Sequence, residues 1–229
     1  MKFVIKIGGS LLFDAEQQYE LGRYKEYAKL IQQFKNQGHE IIVVVGGGSL
    51  AKSLVEKGQR LGGNREALDY LGIAATWVSA QLMITALGEL AYPVPVMTEQ
   101  QLLDLQQDGR LLVLGGLEPG QSTNAVAARV AELTQFEVLL NVTDVEGVFD
   151  RDPKQSGQAK LLPELTVTEL QNIIASLASE PGTYPLFDKR ALEIVQRAGI
   201  EVWFVNGLNS KNIIHAIKTQ KPGTRVVPT

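Results

Sequence analysis

Apolar residues in this chain fall into short unbroken runs. Between them lie longer segments in which apolar residues recur every three or four positions. The runs at 3–7 (FVIKI), 40–45 (EIIVVV), 93–96 (PVPV), 111–116 (LLVLGG), 136–143 (FEVLLNVT) and 200–207 (IEVWFVNG) read as strands. TRVVP, near 224–228, reads as a last, edge strand. A run such as EIIVVV, apolar on consecutive positions, is the pattern of a parallel strand covered on both faces. Segments 24–38, 49–62, 98–107, 122–134, 166–179, 186–198 and 210–219 carry the helical period, the first stopping at Gly38. Residues 64–91 read as one long helix with Gly72 as its candidate break. This alternation predicts an α/β protein: a three-layer α/β/α sandwich with a mostly parallel central sheet.

The polar stretch 144–165 breaks the rhythm, with Gly147, Pro153, Gly157 and Pro163 inside it. Loops of that length in a compact domain are usually functional. A soft boundary at 141–147 divides one domain into an N-terminal lobe of about 1–142 and a C-terminal lobe of about 143–229.

Composition narrows the classes. The 229 residues are 45% hydrophobic and 21% charged, enough to bury a real core. A net charge of −3 gives no general attraction to nucleic acid or to an anionic membrane, so an anion site has to be built locally. There are no cysteines, which excludes disulfides and thiolate metal sites and fits a reducing, cytoplasmic compartment. MKFVIKIGGSLL has glycines where a signal peptide needs its apolar core, and no apolar stretch reaches the ~20 residues of a membrane span. The only histidines, His39 and His215, are isolated and read as surface residues, and no metal-ligand cluster is visible.

Three predicted strands end in a glycine turn followed by a helix: KIGGS (6–10), VVVGGGS (43–49) and LVLGGLEPGQST (112–123). Ligands of open α/β sheets bind beyond the carboxyl ends of the strands. Backbone N–H groups in such turns, with the helix N-termini they lead into, form an anion cradle. Any one turn could be an ordinary strand-to-helix connection; three at matching strand ends point to phosphate. Neither GxxxxGK[ST] nor GxGxxG is present, which disfavours a P-loop or a dinucleotide-binding site. Lys6, in an otherwise apolar strand, is either an edge lysine reaching water or an ammonium aimed at a transferring phosphoryl group.

The ordered set KIGGS, VVVGGGSLAK, LDYLGI, GGLEPGQSTNAVAA, TDVEGVFDRDP and GTYPLFDKRALEIVQRAGIEVWFVNG resembles the amino acid kinase superfamily over nearly the whole chain. Within it, PGQST before a small-residue helix and GTY…D before the penultimate strand are similar to archaeal-type UMP kinases. The molybdenum storage proteins are close relatives of that branch.

The resemblance implies transfer of the ATP γ-phosphoryl to UMP, Mg2+ carried with ATP, and a homohexamer built as a trimer of dimers. It implies that Lys6, Asn124 and Asp188 are catalytic. Gly8, Gly9, Ser10, Gly48, Lys52, Thr143, Asp144, Phe149 and Asp152 would bind ATP. Gly47, Asp69, Gly116, Leu117, Glu118, Pro119, Gly120, Gln121, Ser122 and Thr123 would bind UMP, with Ser122 also a natural helix cap. Three departures stand out. Lys52 replaces the family's usual arginine, keeping charge but losing bidentate geometry. Asn124 stands where many members carry an aspartate that orients catalytic lysines. Trp77 and Ser79 occupy positions of arginine and asparagine. These leave open an oxyanion and ATP storage protein, or a kinase of another small phosphate or carboxylate acceptor. An isopentenyl phosphate acceptor is disfavoured, because GGGSLAKSL lacks histidine.

Overall fold

The computed structural model describes residues 1–151, 158–177 and 186–228. Strands β1 (Lys2–Ile7), β2 (Glu40–Val45), β3 (Leu112–Leu114), β4 (Val138–Thr143), β5 (Glu164–Thr166), β6 (Glu201–Asn206) and β7 (Thr224–Val227) form one sheet, ordered β3-β2-β1-β4-β6-β7-β5. Every pairing is parallel except β6–β7. The helices are α1 (Leu21–Asn36), α2 (Gly48–Arg60), α3 (Arg65–Leu87), α4 (Glu99–Leu105), α5 (Thr123–Thr134), α6 (Val167–Leu177), α7 (Lys189–Ala198) and α8 (Ser210–Thr219).

Strand alternation splits the core in two. Phe3, Ile5 and Ile7 of β1 face one side, where α1, α3 and α8 pack. Val4, with Ile42, Val44 and Leu139, faces the other, under α4, α5, α6 and α7. The result is the three-layer α/β/α sandwich, with each fully buried aliphatic or aromatic side chain contributing about 1.5–3 kcal/mol of transfer free energy. Helix α1 buries Tyr24, Tyr27, Ala28, Leu30, Ile31 and Phe34, the spacing of one apolar stripe. Helix α5 buries mostly alanine and valine. Ion pairs clamp it from both sides. Arg129 grips the Glu99 carboxylate of α4 with two nitrogens (2.7 and 2.9 Å), and Glu132 accepts from Arg197 of α7 (2.8 and 2.9 Å). The Arg129 hydrogen bond holds the Glu99 carboxyl below its usual range.

Four expectations are corrected. Residues 93–96 form no strand: Val96 makes an isolated bridge to Leu114, and Pro93 and Pro95 have no N–H to donate. Helix α3 runs unbroken through Gly72, started by Asn64, whose side chain accepts from Ala67 N–H (2.9 Å). Strand β7 is interior, and the edge belongs to β5, which forms inside the long polar segment. His39 is half-buried, its ring edge-on to Phe3 and Phe34 with centroids 5.8 and 6.0 Å away, while His215 is exposed.

Candidate active site

The parallel strands β1, β2, β3, β4 and β6 end at one carboxyl edge, where the three glycine turns lie. The first two glycine turns touch backbone to backbone. A Cβ on Gly46 would lie 2.6 Å from the Gly9 nitrogen, and one on Gly9 would lie 2.6 Å from the Gly48 Cα. Gly48 has φ +54° and would meet Phe13 as well. So glycine is required by close approach of the two turns as well as by any ligand. Hydrogen bonds tie them down: Gly8 N–H donates to the Val142 carbonyl (2.8 Å) and Gly46 N–H to the Ile7 carbonyl (3.0 Å). Gly47 and Gly48 open α2, whose first N–H groups lack helical acceptors and face this edge.

The third turn is held by α3. Thr76 Oγ1 accepts from Gly116 N–H (2.6 Å) and donates to the Ile73 carbonyl (2.6 Å). Trp77 Nε1–H donates to the Gly116 carbonyl (2.9 Å). Four residues on, Gly120 N–H donates to Asp69 Oδ2 (2.8 Å). Asp69 thus fastens the far end of the 115–122 loop, with Leu117 partly buried beneath it. Glu118 accepts from Gln121 Nε2 (3.1 Å); Gly120 is exposed and Pro119 half-buried.

Two helix N-termini converge beside Lys6. Ser122 caps α5 by accepting from Ala125 N–H (3.0 Å), and Asp188 caps α7 by accepting from Ala191 N–H (3.0 Å). The Ser122 hydroxyl donates to Asp188 Oδ2, joining the caps. Thr123 begins α5, and Asn124 is buried in its first turn.

Lys6 lies on β1, between β2 and β4, so it is not an edge lysine. Its side chain is half-buried and, among the described residues, makes no hydrogen bond or ion pair. Burial pulls its pKa from 10.5 down to about 8, against the opposing charges of Asp144 and Asp188. A Cβ on Gly8 would lie 3.7 Å from Lys6 Nζ and 3.8 Å from Ser10 Oγ, so the ammonium sits over the first turn.

At the end of β4, Thr143 Oγ1 donates to Asp144 Oδ1 (3.3 Å), and Gly207 N–H donates to the Thr143 carbonyl (2.8 Å). Phe149 is half-buried and bridged to Leu161. Lys52 is exposed on α2 and unpaired among the described residues. Asp152, and the GTY motif at 182–184, lie outside the described residues. No group of three or more His, Cys, Asp or Glu side chains at metal-binding spacing occurs among the described residues. The edge offers N–H groups and ammonium, the donors a polyphosphate takes.

Sequence reasoning passed over Asn141 and Thr76, and noted Trp77 only as a departure from the family pattern, not as the donor to Gly116 that it is. Asn141 carried the same signal as Lys6: one polar side chain in an apolar strand, VLLNVT. Thr76 gave no such signal inside a long helix.

A mostly parallel α/β/α sandwich with glycine turns and a lysine at its carboxyl edge is the architecture of a phosphoryl-transfer protein. The chain belongs to the amino acid kinase family, whose model matches residues 1–206. It is 36% identical over 227 residues to a uridylate kinase of Methanobrevibacter smithii, covering 99% of each chain. To a uridylate kinase of Metallosphaera sedula it is 37% identical over the full length of both. The crystal structure of uridylate kinase from Archaeoglobus fulgidus superposes with a TM-score of 0.85 at 32% identity, over 99% of this chain and 100% of that one.

Proposed function

We propose that this chain is a UMP kinase, transferring the γ-phosphoryl of ATP to UMP to give ADP and UDP. The observation that carries this reading is the full-length likeness to uridylate kinases at 36–37% identity, with the first-strand lysine and all three glycine turns in place. Nothing in the site favours storage of oxyanions over transfer.

In this reading the acceptor lies over the N-terminal lobe, about 1–142, and ATP over the C-terminal lobe, about 143–229. Gly47 and the Gly116–Thr123 loop take the UMP phosphate, and Asp69, with one oxygen on Gly120, turns the other to the ribose. Gly8, Gly9, Ser10 and Gly48 take the ATP phosphates, with Lys52 nearby. Thr143, Asp144, Phe149 and Asp152 take the nucleoside. Two polyanions repel, so the fold has to supply positive potential where they meet. Lys6 supplies an ammonium, and α2, α5 and α7 supply N-terminal dipoles. Transfer is in line, the UMP phosphate oxygen attacking Pγ as the β–γ bridging oxygen leaves with ADP, with no covalent enzyme intermediate. Mg2+ carried with ATP would supply further neutralisation of its phosphate charge, with no carboxylate cluster to hold the ion among the described residues. Asp188 positions Ser122, and through it the start of α5. Asn124 contributes an amide where related enzymes carry a charge. The assembly proposed is a homohexamer.

A coupled ADP-release assay across UMP, CMP, dTMP, AMP and acetylglutamate tests this. UMP is expected to give the highest kcat/KM; absence of turnover with UMP overturns the reading.

A further inference from the structure

Asn141 lies on β4 in register with Lys6 on β1, and both side chains project from the same face of the sheet, towards α5. It is 1% exposed, and its Oδ1 is buried without a hydrogen-bond partner. Which way its amide points is settled by a relay. Asn124 Nδ2 donates to the Leu186 carbonyl (3.3 Å), which can only accept. That leaves Asn124 Oδ1 as the group facing Asn141, and Asn141 Nδ2 donates to it (3.4 Å). Asn141 must therefore present its oxygen to the rest of the pocket. A buried amide oxygen left unpaired is costly, so the position calls for a donor. On this face Phe204, the neighbour on β6, has none, and the Thr143 hydroxyl is committed to Asp144. The donor in register on β1 is the Lys6 ammonium, itself unpaired among the described residues.

We propose that Asn141 is a positioning residue, whose Oδ1 accepts a hydrogen bond from the Lys6 ammonium and holds it at the carboxyl edge for the transferring phosphoryl group. This rests on the kinase reading for its purpose; its geometry rests on the register and on two facing groups that are both unpaired, the bond between them being the proposed step. The charged groups facing Lys6 are Asp144, from the loop after β4, and Asp188, from the cap of α7; β2 presents apolar Val44. The Asn124–Asn141 amide pair accordingly does, without charge, the orienting work that a carboxylate does elsewhere in the family. An acceptor on the ammonium favours its charged form, so removing it lowers the Lys6 pKa, and replacing it with a carboxylate raises it.

The test compares wild type with Asn141→Asp, Asn141→Leu and Asn141→Ser, each first checked for a cooperative thermal melt. The pH dependence of acylation of the Lys6 amine, read by peptide mass spectrometry, requires no turnover. Its midpoint is expected to rise by a unit or more in Asn141→Asp and to fall by half a unit or more in Asn141→Leu. The alkaline limb of kcat with UMP should move in step, kcat falling about tenfold in Asn141→Leu with KM for UMP little changed. Wild-type midpoints in the folded variants overturn the proposal. Shifted midpoints without UMP turnover overturn the acceptor assignment and leave Asn141 in this role.

Discussion

The hydroxyl of Ser122 donates to the carboxylate of Asp188, and each of those residues caps a helix of its own. One hydrogen bond therefore sets the relation between the N-termini of α5 and α7, which meet beside Lys6. Ser122→Ala breaks the cap of α5 and releases Asp188 at once. Loss of a serine cap costs about 1 kcal/mol, so a fall in melting temperature of about 2–4 °C is expected. Because the two helix starts are also released from each other, kcat should fall more than a 1 kcal/mol loss explains, which steady-state kinetics with UMP would show.

Lys6 links activity to pH with two opposite signs. Turnover needs the ammonium, so kcat is expected to decline as pH rises through about 8. Stability runs the other way. The folded-state pKa is below the unfolded value of 10.5, so between about 8 and 10.5 the unfolded chain binds more protons, and stability rises with pH across that window. Lys6→Met should therefore melt higher than wild type at pH 7, lose the alkaline rise in melting temperature, and turn over orders of magnitude more slowly. Calorimetry at pH 7 and pH 9.5 beside kinetic assays checks all three.

Two glycines predict opposite outcomes on replacement. A Cβ on Gly9 has nowhere to go against the Gly48 backbone, so Gly9→Ala should destabilise by about 1–3 kcal/mol and part the first two turns. Gly72, inside α3, would place its Cβ no nearer than 3.9 Å to Val55, so Gly72→Ala should stabilise by about 0.5–1 kcal/mol. Urea denaturation of the two variants separates these expectations.

The Trp77 indole N–H donates to the Gly116 carbonyl, at the head of the 115–122 loop proposed to take the acceptor. Trp77→Phe keeps the ring and drops the donor. A hydrogen bond of this kind is worth about 0.5–1.5 kcal/mol, so KM for UMP should rise roughly twofold to tenfold while KM for ATP holds. Equal rises in both constants would count against a role confined to the acceptor loop.

The layers, most strands and the glycine turns were readable because they rest on local period and local turn chemistry. The sheet order was not. TRVVP looks like an edge strand by itself, and only long-range pairing with both β6 and β5 places it inside. PVPV has strand-like apolarity, but its prolines leave too few donors for a ladder. The glycine turns were read for phosphate, and the structure adds a second demand, contact between Gly9 and Gly46–Gly48. Asn141 was legible as an oddity in VLLNVT, yet its meaning needs the register that sets it opposite Lys6.

Among the described residues, strand β5 has a single strand neighbour, β7. On a translating ribosome, β5 is made 58 residues before that neighbour begins (224 − 166). Strand β5 thus has to wait, unpaired, for about a quarter of the chain to be added. Haste in elongation gains nothing there, and a chain cut short before Thr224 leaves β5 without its strand partner.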